Sequence, residues 1–179
     1  MKTEQNKEMD LLLRRLAVMS TLIRRVEGSG KTKIQKLLYF LQDAFGVALG
    51  YKFRMHHYGP FTNEIERDLS TLRVLDCIDI TPDTDGYGFH VSSRQEGDAL
   101  FSEPNKEDQA KLTEVIEVLG GSDAKELELL ATVHFVRNLR HRSPKPEILE
   151  VVSGLKPKFS LDVIESAYSF LVQRGLLES

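Results

Sequence analysis

Two stretches of alternating polarity, Ile78-Asp79-Ile80 and Phe89-His90-Val91, stand on either side of the turn-forming residues Thr81-Pro82-Asp83-Thr84-Asp85-Gly86. Successive side chains of a strand point to opposite faces, so this pattern predicts a hairpin of two short strands. A hairpin must bury one face, and the flanking apolar residues recur at helical spacing. The chain is therefore expected to be mainly α, of the α+β class. Its helices and one appended β-hairpin would form a winged-helix-like unit, followed by a C-terminal helical part.

The first helical stripe holds Leu12, Leu16, Met19, Ile23 and Val26, starting at Asp10 after polar residues 1–8 that are expected to fray. Leu11, Leu13, Val18 and Leu22 widen that stripe, which suits a central helix or a homodimer contact. Gly28-Ser29-Gly30 ends it. A second helix from Lys31 carries Ile34, Leu37, Leu38, Leu41, Ala44 and Phe45 on one face and stops at Gly46. Tyr51 to Tyr58 reads as one short strand broken by Gly59-Pro60. With Pro at its first position and Glu64 and Glu66 near its N-terminus, a third helix turns Phe61, Ile65, Leu69 and Leu72 inward. Residues 93–101 would close this unit as a helix. The division is 1–104 for the winged-helix-like unit and 105–179 for a helical part packed against it. In the latter, helices are expected at 106–119, 124–139, 147–152 and 161–174. Asp123 with Glu126 supplies a capping box, Ser143-Pro144-Lys145-Pro146 a turn, Ser160 an N-cap and Gly175 a stop.

The 179 residues include 41% hydrophobic and 28% charged side chains, enough for a core without staples. The single cysteine excludes an internal disulfide and a Cys-rich zinc site. No apolar run approaches a membrane span and the N-terminus is too polar for a signal peptide, so a soluble, cytoplasmic protein with no membrane partner is expected.

Catalytic chemistry finds little purchase. Gly30-Lys31-Thr32 is a fragment of a phosphate loop, but the motif needs a glycine where Arg25 stands and a strand where a helix is expected. His56 and His57 are adjacent, so on a strand they face opposite ways, and His90, His134 and His141 lie far along the chain. His134 sits in an apolar helical run and reads as a satisfied, semi-buried histidine. Cys77, just before a hydrophobic strand, reads as a small buried residue. There is no Gly-x-Ser-x-Gly elbow. No catalytic residue, cofactor site or metal site is assigned, and the chain is read as a non-enzyme.

Winged helices often bind DNA through the helix before the hairpin, and phosphate contacts need local Lys and Arg. Here that helix carries Glu64, Glu66 and Asp68 against Arg67 and Arg73, and the hairpin tip adds Asp83 and Asp85. Both surfaces read as acidic. Basic density lies elsewhere, at Arg24, Arg25, Lys31, Lys33 and Lys36 and at Arg137, Arg140, Arg142 and Lys145.

Lys33-Ile34-Gln35-Lys36-Leu37-Leu38-Tyr39-Phe40, followed by His57-Tyr58-Gly59-Pro60-Phe61 and Glu64-Ile65, resembles the YwgA-like bacterial proteins. It is similar, more distantly, to the Panacea domain of SocA-like antitoxins and proteolytic adaptors. Glu126 to His134 and Leu155-Lys156-Pro157-Lys158-Phe159-Ser160 also look like the YwgA group. The resemblance implies action by direct protein contact, with a toxin or protease substrate as partner, and it brings no catalytic residues. Within the motif, Leu37, Leu38 and Phe40 would pack the second helix, and Tyr58, Gly59 and Pro60 would fix the entry of the third. The expected function is thus a non-enzymatic regulatory or adaptor protein. Arg67, Arg73, Tyr87, Arg137, Arg140 and Arg142 are the candidate partner contacts, because arginines anchor interfaces more often than lysines do. The alternative is a DNA-binding transcriptional regulator using the basic clusters at 24–36 and 137–145.

Overall fold

Eight consecutive residues of one helix, Ile34 to Leu41, are buried. A helix sealed on one face only would bury about half of them, so this helix has neighbours all round. It is α2 (Lys31–Asp43), in a computed structural model that describes residues 2–83, 88–94 and 101–177. The other helices are α1 (Lys2–Arg25), α3 (Asn63–Val74), α4 (Lys106–Leu119), α5 (Ala124–Leu139), α6 (Lys145–Leu155) and α7 (Leu161–Gln173). The strands are β1 (Ser29–Gly30), β2 (Arg54–His56), β3 (Gly59–Phe61), β4 (Ile78–Pro82) and β5 (Phe89–Ser93). The chain is mainly helical with small antiparallel sheets, and α2 packs on α1, α4, α5, β1, β3 and β5.

The larger sheet has the order β1-β5-β4, with Ser29 opposite Val91 and Ile80 opposite the same residue from the other side. In chain order a helix, a short strand, two helices and a hairpin follow one another, and the second strand of that hairpin pairs with the first strand. Gly28-Ser29-Gly30 does more than stop a helix, because residues 29–30 supply the outer strand. A second hairpin, β2-β3, joins Arg54 to Phe61, Met55 to Pro60 and His56 to Gly59. One hairpin was expected and the described residues form two. Pro60, which lacks an N–H, sits in a three-residue strand rather than at a helix start. Helix α3 begins instead after Thr62, whose hydroxyl accepts from the Glu64 amide at 3.3 Å. Ile65, Leu69 and Leu72 are buried as expected, while Phe61 is half-buried.

The N-terminal residues expected to fray belong to α1 from Lys2 onward. The breadth of its apolar surface follows from burial: Leu16, Val18, Met19, Leu22 and Ile23 are all inside, and Leu13 points outward. The expected helix over 93–101 begins in conflict with the structure. Ser93 ends β5 and the Arg94 amide donates to the Cys77 carbonyl at 2.9 Å, extending the strand edge. Residues 95–100 lie outside the described residues.

Helices α4 and α5 match the expected bounds, and the Asp123 carboxylate caps the Glu126 amide at 2.7 Å. Helix α6 starts two residues early because Pro146 occupies its first turn, where no N–H partner is needed. One continuous apolar core runs through both parts of the chain, from Leu22 and Leu37 to Leu127, Ile164 and Leu171.

Candidate functional site

The segments that carry the family resemblance come together in space. Because α2 is buried all round, its polar residues Gln35 and Lys36 must find partners inside, and the backbone of β3 and of Thr62 just after it supplies them. Gln35 donates to the Thr62 carbonyl at 3.2 Å and accepts from the Thr62 amide at 3.4 Å. Lys36 donates to the Pro60 carbonyl at 2.7 Å. Gly59 has φ +84°, and a Cβ there would meet Thr132 Oγ1 at 3.0 Å and the Glu128 carbonyl at 3.2 Å. Only glycine lets β3 lie this close to α5. Behind it, Glu128 accepts from Lys156 at 2.7 Å and from Lys158 at 2.8 Å, and Lys156 also donates to the His57 carbonyl.

This junction has a balanced electrostatic logic. Burial pushes the Lys36 ammonium down to about 8, Glu128 resists that fall and Lys156 adds to it. Burial also acts against the Glu128 carboxylate, but the hydrogen bonds and charges of Lys156 and Lys158 outweigh it and hold the group below the usual carboxylate range. One carboxylate thus serves several ammonium groups. The surface above it is wetter and aromatic: Lys158 lies over the rings of Tyr58 and Phe159, and Tyr58 is exposed. Tyr58 therefore does not fix the entry to α3, as its place in the motif had suggested. The buried lysines and Glu128 were not singled out from the sequence, although a lysine at 36 inside the apolar run Ile34 to Leu41 was a readable sign.

The arginines separate into groups with different surroundings. Helix α3, carrying Arg67 and Arg73, packs on α1 and β4, whereas α5 packs on α2, α6, α7 and β3. Arg67 and Arg73 are exposed, and neither forms an ion pair among the described residues. The acids of α3 are not its outer face. Asp68 is buried and held by the Tyr51 hydroxyl at 2.8 Å and by Arg15 Nε at 3.0 Å. Glu64 accepts from the Lys52 amide at 2.9 Å, and Glu66 pairs with Lys31 at 3.0 Å. What α3 presents outward is Asn63, Arg67, Ser70, Arg73 and Val74. The expectation of an acidic helix is corrected: the spacing could not reveal that Asp68 answers Arg15. Tyr87 and Asp85 lie outside the described residues.

The basic run at 24–36 is engaged internally. Arg24 pairs with Glu103, Arg25 donates to Thr113 and Lys31 to Glu66. Lys33 donates to the Gly120 carbonyl, and Lys36 is buried. At the other basic run, Arg140 and Arg142 are exposed at the end of α5. Arg137 turns instead into a polar cleft of about 390 Å³, lined also by Asp43, His134, Asn138 and His141. Its Nη1 donates to the His141 carbonyl. His134 is buried as expected, with Nδ1 2.7 Å from the Tyr39 hydroxyl. Cys77 is buried too. Between α5 and α7 runs an apolar groove of about 420 Å³ floored by Leu129, Leu130 and Phe159, with Val163 exposed at its edge.

Among the described residues, no group of three or more His, Cys, Asp and Glu side chains is placed to hold a metal ion, and no helix is long and apolar enough to cross a membrane. No protein-family model matches the chain, and no curated protein matches it.

Proposed function

We propose that this is a non-enzymatic regulatory or adaptor protein of the cytoplasm that acts by binding another protein, a toxin or a protease substrate being the kinds of partner its Panacea-like motifs suggest. The observation that carries this reading is the outer surface of α3, the helix that a winged-helix unit offers to its ligand. There Arg67 and Arg73 are exposed, with no ion pair among the described residues, beside Val74, 82% exposed, and Leu75, 42% exposed. Exposed arginines next to exposed apolar side chains suit a protein interface, where desolvated aliphatic contacts and planar guanidinium groups combine. Arg140 and Arg142 form a second candidate patch.

The test is capture of partners from nuclease-treated lysate of the native host by tagged protein, with Arg67→Glu/Arg73→Glu and Arg140→Glu/Arg142→Glu variants in parallel. A near-stoichiometric partner lost with one pair of substitutions is expected. If the same partner stays bound to both variants, these arginines are not the contact.

A DNA-binding regulator remains the second reading, favoured by the freed polar face of α3, with Asn63, Arg67, Ser70 and Arg73 outward. Against it, the basic residues at 24–36 are tied down and do not form an open track for phosphates. This reading predicts duplex binding that weakens steeply with salt. No detectable binding to mixed-sequence duplex at low ionic strength eliminates it.

A further inference from the structure

Aromatic rings and cations alternate across one face of the molecule, and each step between them is a direct contact or a shared pocket wall. Lys31 Nζ lies 4.8 Å from the centre of the Phe89 ring, which is 49% exposed. Lys31 and Tyr58 line the same small pocket of about 130 Å³. Tyr58 is 55% exposed, and Lys158 Nζ lies 5.7 Å from its ring centre. The same ammonium lies 5.3 Å from the half-buried Phe159, whose ring also carries Lys125 at 5.6 Å. His57, exposed like Tyr58, sets its ring edge-on to Tyr58 at 4.9 Å. Strand β5, the start of α2, the β2-β3 turn, the loop before α7 and the start of α5 each contribute to this line.

The charge beneath the line is unbalanced. Glu128 is the acid that acts on the buried Lys36, and the same carboxylate takes Lys156 at 2.7 Å and Lys158 at 2.8 Å. Three ammonium groups sharing one carboxylate leave two positive charges unanswered among the described residues. Because Lys36 and Lys156 are buried, water screens them poorly, and their field emerges where Lys158, His57 and Tyr58 meet solvent. Of the neighbouring acids, Glu66 pairs with Lys31 at 3.0 Å and Asp123 caps the Glu126 amide at 2.7 Å. Glu126 is the open carboxylate beside Lys125. The pair Lys31–Glu66 adds no net charge, so the positive excess is centred on Tyr58 and Lys158.

We infer that this face binds single-stranded nucleic acid, with bases stacked on Tyr58, Phe89 and Phe159 and phosphates drawn to Lys158 and Lys125. A single strand alternates planar bases with anionic phosphates, and rings alternate with ammonium groups here in the same way. A duplex keeps the faces of its bases inside its own stack, out of reach of the rings. An acidic protein segment answers the charge but brings no repeated planar group. The side chains that touch the strand are accessible, while Lys36 and Lys156 act on it through their field alone. The inference is independent of the partner-binding reading, because the outward arginines of α3 take no part in it.

The experiment is fluorescence anisotropy of labelled oligothymidylate and oligouridylate, each about 15 nucleotides long, titrated with the full chain at low ionic strength. Saturable binding to at least one strand is expected, weakening as salt rises, with each neutralised phosphate adding about 0.7 to the slope of log affinity against log salt. Tyr58→Ala should weaken binding by about fivefold or more, and Tyr58→Phe should restore it, since stacking needs the ring and not the hydroxyl. Lys125→Gln should weaken binding and flatten the salt slope. Arg67→Glu/Arg73→Glu should bind as the parent does, which separates this face from the surface of α3. Tyr58 and Lys125 are exposed, and circular dichroism confirms that each variant is folded before it is titrated. Three outcomes overturn the inference: no binding to either strand at low salt, equal competition by duplex DNA or by polyglutamate, or undiminished affinity in Tyr58→Ala.

Discussion

The Glu128 carboxylate and the Lys156 ammonium lie 2.7 Å apart with 4% and 3% of their side chains exposed. Burying two charges is costly, and their attraction offsets that cost only while both are present. Lys156→Met should therefore destabilise the protein by about 3–5 kcal/mol, because it leaves Glu128 buried with Lys158 as its remaining ion-pair partner. Glu128→Leu should cost a similar amount through the stranded Lys156. The double variant should lose clearly less than the sum. Urea unfolding of the four proteins gives the cycle directly, and additive losses would show that the pair is not coupled.

Gly59 offers a contrast with Gly46. Both have positive φ, +84° and +79°, so either one replaced by alanine suffers backbone strain. At Gly46 nothing lies within 4 Å of an added Cβ, whereas at Gly59 it would meet Thr132 Oγ1 and the Glu128 carbonyl at 3.0 and 3.2 Å. Gly46→Ala is expected to cost about 1 kcal/mol and Gly59→Ala at least about 2 kcal/mol more, since α5 or β3 must move. Equal losses by chemical denaturation would mean that β3 is free to shift away from α5.

What the sequence disclosed and what it hid divide along physical lines. Helices α4 and α5 and the β4-β5 hairpin were legible because local signals, an Asp123 cap and a period of two, specify them without reference to the rest of the chain. The pairing of residues 29–30 with β5 was not legible, since a two-residue strand has no period and is defined only by its distant partner. Pro60 looked like a helix start because local preference for that position is real, and tertiary pairing with Met55 prevailed. The same limit applies to charge. Asp68 and Arg15 are 53 positions apart, so the burial of one acid and the freeing of the α3 surface could not be read from local balance.

His134 sets an acid limit on stability. Burial pulls its imidazole down to about 4, opposed by a hydrogen bond to the Leu176 backbone, so the folded protein holds it neutral with Nδ1 facing Tyr39. As pH falls below 6.5, the unfolded chain takes up the proton first. The contribution of this residue is thus fully present above 6.5 and is lost progressively between 6.5 and 4, by up to about 3 kcal/mol at the lower end. Urea midpoints measured at pH 7 and pH 5 should fall in the parent protein. In His134→Gln, the part of that fall due to imidazole protonation should vanish, and an unchanged pH profile would assign the loss to other groups.

His90 works in the opposite sense. Its Nδ1 lies 2.8 Å from the Gly28 carbonyl and its Nε2 3.2 Å from the Asp83 carboxylate, so both ring nitrogens face acceptors and the imidazolium is favoured. The Gly28 carbonyl is the larger cause and Asp83 the smaller, and together they raise the group above its ordinary value. With a raised folded pKa, the stabilisation is fully present below 6.5 and disappears as pH rises through the folded value. This tie joins the hairpin to the end of α1, so amide exchange in the β1-β5 pair should quicken on that rise beyond the ordinary dependence of exchange on pH. Proton NMR should find the His90 midpoint above 6.5, and Asp83→Asn should bring it partway back, the Gly28 contact sustaining the remainder. A midpoint at or below 6.5 in the parent protein would show that the imidazolium does not hold the β4-β5 hairpin.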